Sequence, residues 1–127
     1  MLKSKLTVLC CHYTNEATSQ DLSDIPAEIE IKRYPCSGRI EVVDILKAFE
    51  DGAEAVLVAG CEKGVCHNRT GSARAEKKVE LAREILSEID MNPERVRMAF
   101  VPRLDTGAFV AAVKDTFEKL LEIKEEA

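Results

Sequence analysis

Apolar residues along this chain fall into two spacings, short unbroken runs and positions three and four apart, and the two predict different elements. Residues 6–10 (LTVLC) form a short β-rich run, and residues 55–59 (AVLVA) form a continuous apolar one suited to a strand buried in a parallel sheet. Residues 28–34 (EIEIKRY) alternate polar and apolar, and residues 96–101 (VRMAFV) make a fourth run that stops at Pro102. Between and after these runs the helical spacing takes over. Val42, Ile45, Leu46 and Phe49 recur on one face, and Asp51-Gly52 supplies the stop. A second helix is predicted from about Ser72 to Ile89, with Val79, Ala82, Leu86 and Ile89 on one stripe and Arg74, Lys77, Lys78 and Arg83 largely off it. Asn92-Pro93 is expected to end it. The third begins near Thr106-Gly107 and sets Phe109, Val113, Phe117 and Leu120 inward before fraying into EIKEEA. Residues 14–27 have weak periodicity and many breakers, which reads as a short helix or loop.

Strands alternating with helices imply a parallel sheet of about four strands, with right-handed crossovers covering both faces. The fold class is α/β, a small flavodoxin-like or Rossmann-like unit, and 127 residues suit one domain over 1–127. A hydrophobic share of 46% against 32% charged residues is enough for a core and excludes disorder over most of the length. The net charge of -5 and the lack of basic runs interleaved with aromatics argue against a nucleic-acid binder. No apolar stretch approaches the roughly 18 residues of a membrane span, and the first residues carry no signal-peptide pattern. A cytoplasmic protein without membrane attachment is the expectation.

Five cysteines against two histidines point to chemistry. An odd count in a reducing compartment argues against a disulfide framework and leaves metal binding, an iron-sulfur cluster or thiol redox chemistry. Position separates these from simple packing. Cys10 and Cys11 end the first predicted strand, Cys36 follows the second, Cys61 follows the third, and Cys66 stands just ahead of the second helix. All five therefore fall at the carboxyl edge of the sheet, where such folds bind ligands beside the point at which strand order reverses. Cys61 and Cys66 with four intervening residues suit two thiolates on one metal centre, with Gly60 and Gly64 available for the turn, and both zinc sites and ferredoxins use this interval. The Cys-x-x-Cys of thioredoxin chemistry is absent, as are glycine-rich nucleotide loops. A cysteine phosphatase needs an arginine at the far end of the loop after its nucleophile, and His67, Ser72, Glu16 and Ala17 stand there instead.

Three segments together, Cys36-Ser-Gly-Arg39, then AVLVAGCEKGVCHNRTGSARAEKK from Ala55 to Lys78, then Asn92-Pro-Glu-Arg95, resemble the delta-subunit family of methyl-viologen-reducing hydrogenase. The likeness runs over nearly the whole chain, and its specificity lies in the combination of CSGR with GCxxGxCH. Family members are similar in carrying Cys-x-x-Cys then Ser-Tyr after the first strand, whereas Cys10 and Cys11 are adjacent here and followed by His12-Tyr13. Aligned on Tyr13, Cys11 takes the second position of that pair, and Cys10 fills the first with a short deletion. Asn68 stands where the family usually has tyrosine. The resemblance implies a 2Fe-2S cluster in a small protein with no bond chemistry of its own. It relays electrons between an oxidoreductase module, a hydrogenase or formate dehydrogenase, and a flavin-bearing heterodisulfide-reductase-like subunit. It also implies Cys36, Cys61 and Cys66 as ligands with Cys11 as the fourth, Cys10 being the alternative.

The residues alone leave three classes open: electron transfer, a structural zinc domain that mediates protein contacts, and a thiol oxidoreductase using Cys10-Cys11 or Cys61 and Cys66. Around the cysteines, His67 reads as a helix cap or packing residue before a cluster donor, and His12 as a surface residue. Arg39 and Arg69 divide evenly between steadying an anionic centre and simple solvation. Arg74, Lys77 and Lys78 read as a solvated helix face, with a docking role as the sharper alternative.

Overall fold

The computed structural model describes residues 4–11, 25–34, 40–60, 71–101 and 106–126. Four strands, β1 (Ser4–Cys11), β2 (Ala27–Tyr34), β3 (Ala55–Gly60) and β4 (Val96–Phe100), alternate with helices α1 (Val42–Glu50), α2 (Gly71–Glu88) and α3 (Thr106–Glu126). A short 3-10 turn, Pro93–Arg95, leads into β4. The strands form one sheet in the order β2-β1-β3-β4, and every neighbouring pair is parallel. The α/β reading therefore holds, and each predicted strand lies within a residue or two of its place.

Strand alternation sorts the core into two layers. Leu6, Val8 and Cys10 of β1 join Ala55, Leu57 and Ala59 of β3 beneath Phe109, Val113, Phe117 and Leu120 of α3. Leu9, Val56 and Val58 lie on the opposite face with Ile45 and Ala48 of α1 and Ala75, Val79, Ala82 and Leu86 of α2. All six residues of β3 are buried, as a central strand covered on both faces requires.

Both α1 and α2 end in the same motif. In α1 the Gly52 N–H donates to Phe49 O and the Ala53 N–H to Ala48 O, each at 3.0 Å, with Gly52 at φ +108°. In α2 the Asp90 N–H donates to Ser87 O at 3.2 Å and the Met91 N–H to Leu86 O at 2.8 Å, with Asp90 at φ +61°. The expected stop at Asn92-Pro93 is thus anticipated by Asp90. Ile89, placed on the buried stripe by spacing, lies past the helix end and is 58% exposed. Asn92 instead caps the following turn, its side chain accepting from the Glu94 N–H at 2.8 Å. The expected short helix or loop over 14–27 lies for the most part outside the described residues, with Ile25 buried and Ala27 opening β2.

Candidate functional site

The carboxyl edge of the sheet is where the chemistry-bearing positions gather. In register, Cys11 of β1 pairs with Tyr34 of β2, Cys10 pairs with Arg33 on one side and Ala59 on the other, and Gly60 of β3 pairs with Phe100 of β4. The Val101 N–H continues the last ladder onto Gly60 O at 2.7 Å. Strand order reverses between β1 and β3: from β1 the chain crosses to β2 on one side, and from β3 to β4 on the other. That is the position of the ligand crevice in open parallel sheets. Cys11 closes β1 at this point, Cys61 follows Gly60 directly, and Cys36 stands two residues past the end of β2. Cys66 lies in the stretch that connects β3 to α2. Adjacent strands are only about 4.8 Å apart, so three neighbouring strand ends deliver cysteine positions to one edge. Cys36, Cys61 and Cys66, together with His12, His67, Arg39 and Arg69, lie outside the described residues.

Cys10 is the cysteine whose side chain is described. Its side chain is 0% exposed and packs in the layer under α3 with Leu6, Val8 and Ala59. The Arg33 guanidinium donates to its sulfur over 3.9 Å, a long contact at the limit for sulfur.

Tyr34 is a neighbour that motif reading did not single out. It is half-buried against the α1/α2 layer, and burial, with the Asp44 carboxylate of α1 adding to it, pushes its phenol above the usual 10.0. Strand alternation carried the signal, since Tyr34 ends the strand that Cys36 follows. Asp44 in turn accepts the Glu41 N–H at 2.8 Å at the start of α1.

Two basic residues of α2 are engaged in structure. Lys78 pairs with Glu41 at 2.9 Å, tying α2 to the head of α1, and the Arg83 Nε–H donates to Val96 O at 2.8 Å. Lys77 is exposed, and Arg74 falls in the first turn of α2. Among the described residues no group of three His, Cys, Asp or Glu side chains stands close enough to hold a metal ion. No described helix is long and apolar enough to cross a membrane.

The sequence model for the methyl-viologen-reducing hydrogenase delta subunit matches residues 6–124. The chain is similar to the iron-sulfur subunit of the F420-non-reducing hydrogenase vhu from Methanopyrus kandleri, with 34% identity over 97% of each chain. The protein of the same name from Methanocaldococcus jannaschii is 38% identical over 71% of this chain and 67% of its own length. A third likeness is of another kind. One of the ferredoxin:CoB-CoM heterodisulfide reductase subunits of Methanosarcina mazei is 31% identical over 90% of this chain, which spans 14% of that longer protein.

Proposed function

The chain belongs to the methyl-viologen-reducing hydrogenase delta-subunit family, and from that premise we propose that it is an electron-transfer subunit carrying a 2Fe-2S cluster on Cys11, Cys36, Cys61 and Cys66. In this reading it relays electrons between an oxidoreductase module, of hydrogenase or formate dehydrogenase type, and a flavin-containing heterodisulfide-reductase-like subunit. It acts in the cytoplasm, where thiols stay reduced, and as one domain over 1–127. The names of its relatives support the setting, since they include hydrogenase iron-sulfur subunits and one of the subunits of a heterodisulfide reductase.

The observation that carries the proposal is the strand order β2-β1-β3, in which a cysteine ends the middle strand and another follows each flanking strand within two residues. The donor set fits the group, because four thiolates are what such a cluster takes and the sequence sets cysteines at or just past the ends of three neighbouring strands. Bound there, the cluster would supply one-electron chemistry that no side chain of the sequence provides. The chain's own task is to hold the thiolates together, limit water around them and present the edge to partners. The burial of the Cys10 sulfur in the core under α3 supports Cys11 over Cys10 as the fourth ligand in this reading. The same burial counts against a thiol-exchange reading on Cys10-Cys11, as an incoming disulfide must reach the sulfur it attacks.

Anaerobic purification with iron and acid-labile sulfide analysis tests the proposal. A brown protein with about two iron and two sulfide per chain is expected. One zinc in a colourless protein would replace the reading with a structural metal site, and metal-free thiol exchange would replace it with a redox enzyme.

A further inference from the structure

Helix α2 carries two apolar stripes. Ala75, Val79, Ala82 and Leu86 lie in the core. Leu81, Ile85 and Ile89 follow one another at i, i+4 and i+8, roughly a quarter turn round the helix from that stripe. Leu81 is 48% and Ile89 58% exposed, and Ile85 between them is half-buried and belongs to neither core layer. Ile89, just past the end of the helix, keeps the spacing because its N–H still donates to Ile85 O at 3.3 Å. One exposed apolar residue is ordinary, but three in line make a surface.

Beside this stripe runs another, Glu80, Glu84 and Glu88, all exposed. None of the three is in an ion pair among the described residues. Like charges four apart repel along a helix, and α2 has no basic residue in its last turn, so Glu88 also opposes the helix dipole. The row does nothing for the helix itself, whereas an apolar stripe with a charged rim is the pattern of a contact surface. Charge decides what fits there. A second copy would set these glutamates against each other, and an anionic membrane surface would be repelled in the same way. The stripe also runs away from the cysteines, since α2 follows the carboxyl end of β3 and finishes ahead of the amino end of β4.

We infer that the outer face of α2 is a docking surface for a partner protein that presents an apolar helix face flanked by lysine or arginine. Leu81, Ile85 and Ile89 supply the area to be buried, and Glu80, Glu84 and Glu88 set the sign and orientation of what covers it. The inference goes beyond the proposed cluster and does not depend on it.

The test uses the full chain and a defined probe, an amphipathic leucine-lysine peptide of about 18 residues, with the leucine-glutamate peptide of the same pattern and anionic phospholipid vesicles as the other arms. Methyl NMR is expected to centre the leucine-lysine peptide's contact on Leu81, Ile85 and Ile89, with binding that weakens as salt rises from about 0.05 to about 0.5 M. The double variant Leu81→Ser, Ile89→Ser should weaken binding about tenfold. Glu84→Gln with Glu88→Gln should weaken it about threefold at low salt, and Leu121→Ser on α3 should leave it unchanged. All these side chains are exposed, so urea midpoints matching the parent's separate loss of contact from loss of fold. Shifts centred elsewhere, equal binding of the glutamate peptide or the vesicles, or full affinity in the Leu81→Ser, Ile89→Ser variant overturns the inference. So does a concentration-dependent dimer of the parent that the same variant abolishes. Iron and sulfide are counted in every sample; a parent without them overturns the cluster and leaves the docking surface standing.

Discussion

In the proposed reading Cys10 and Cys11 have different tasks, one in packing and one in ligation, which separates two effects that mutagenesis of vicinal cysteines usually mixes. Cys10 packs among Leu6, Val8 and Ala59 at 0% exposure. Truncating it to alanine is expected to cost about 1 kcal/mol of stability, as for other small deletions in a packed layer, and to leave the cluster's EPR signal intact. Cys11→Ser is expected to do the reverse, losing or perturbing the signal with little change in a urea midpoint, because a neutral hydroxyl replaces a thiolate poorly. Cys36→Ser, Cys61→Ser and Cys66→Ser should resemble Cys11→Ser. A normal signal in any of these removes that residue from the ligand set, and loss of signal in Cys10→Ala would place its sulfur at the centre after all. The sequence revealed that cysteines gather at strand ends, because strands and helices have distinct periods. Two adjacent cysteines at the end of a run do not say which one faces which layer. For Cys10 that depends on where α3 packs, and its side chain lies in that layer.

At the scale of elements, most of the architecture was legible because the three helices and the two inner strands carry uninterrupted patterns. The end of α2 was not. Gly52 announces the left-handed residue that closes α1, whereas Asp90 adopts the same region at φ +61° with a Cβ that glycine lacks. Ile89 was therefore counted as one more rung of a helix that had already ended. Asp90→Gly removes the Cβ penalty at that position and is expected to stabilise the protein by up to about 1 kcal/mol, measured by urea unfolding; a destabilised variant would mean that the aspartate side chain contributes more than its backbone costs. A second element-level contact depends on pH. Lys124 of α3 reaches Glu54, ahead of β3, at 2.9 Å. Burial works to raise the Glu54 pKa, but Lys124 and the hydrogen bonds from Ser4 and Lys5 outweigh it and hold the carboxyl below its usual 4.5. A depressed carboxyl stabilises the fold fully above its unfolded value and loses that contribution as pH falls through the folded one. The urea midpoint should therefore drop between about pH 5 and pH 3, and less steeply in Glu54→Gln. Identical acid profiles in the two proteins would mean that this pair does not anchor the helix.

For the whole molecule, a small sheet with a cofactor proposed at one edge has little material with which to enclose it, so that edge is expected to face a partner. The chain should copurify with larger redox proteins. In a reconstituted complex, the Cys61→Ser variant should stop electron flow between the modules while each keeps its half-reaction with artificial dyes. Coupling at the normal rate would make the cluster structural. The two-layered core also sets an order of events during synthesis. Every cysteine is translated by residue 66, yet α3, which covers the face holding Leu6, Val8, Cys10 and Phe109's other partners, begins only at Thr106. At roughly 5–20 residues per second, the ribosome leaves that face open for seconds after the last thiol has emerged. A nascent chain stalled in this interval is thus a client for chaperones with all its thiols already made, and oxygen reaching it then would find Cys10 undefended.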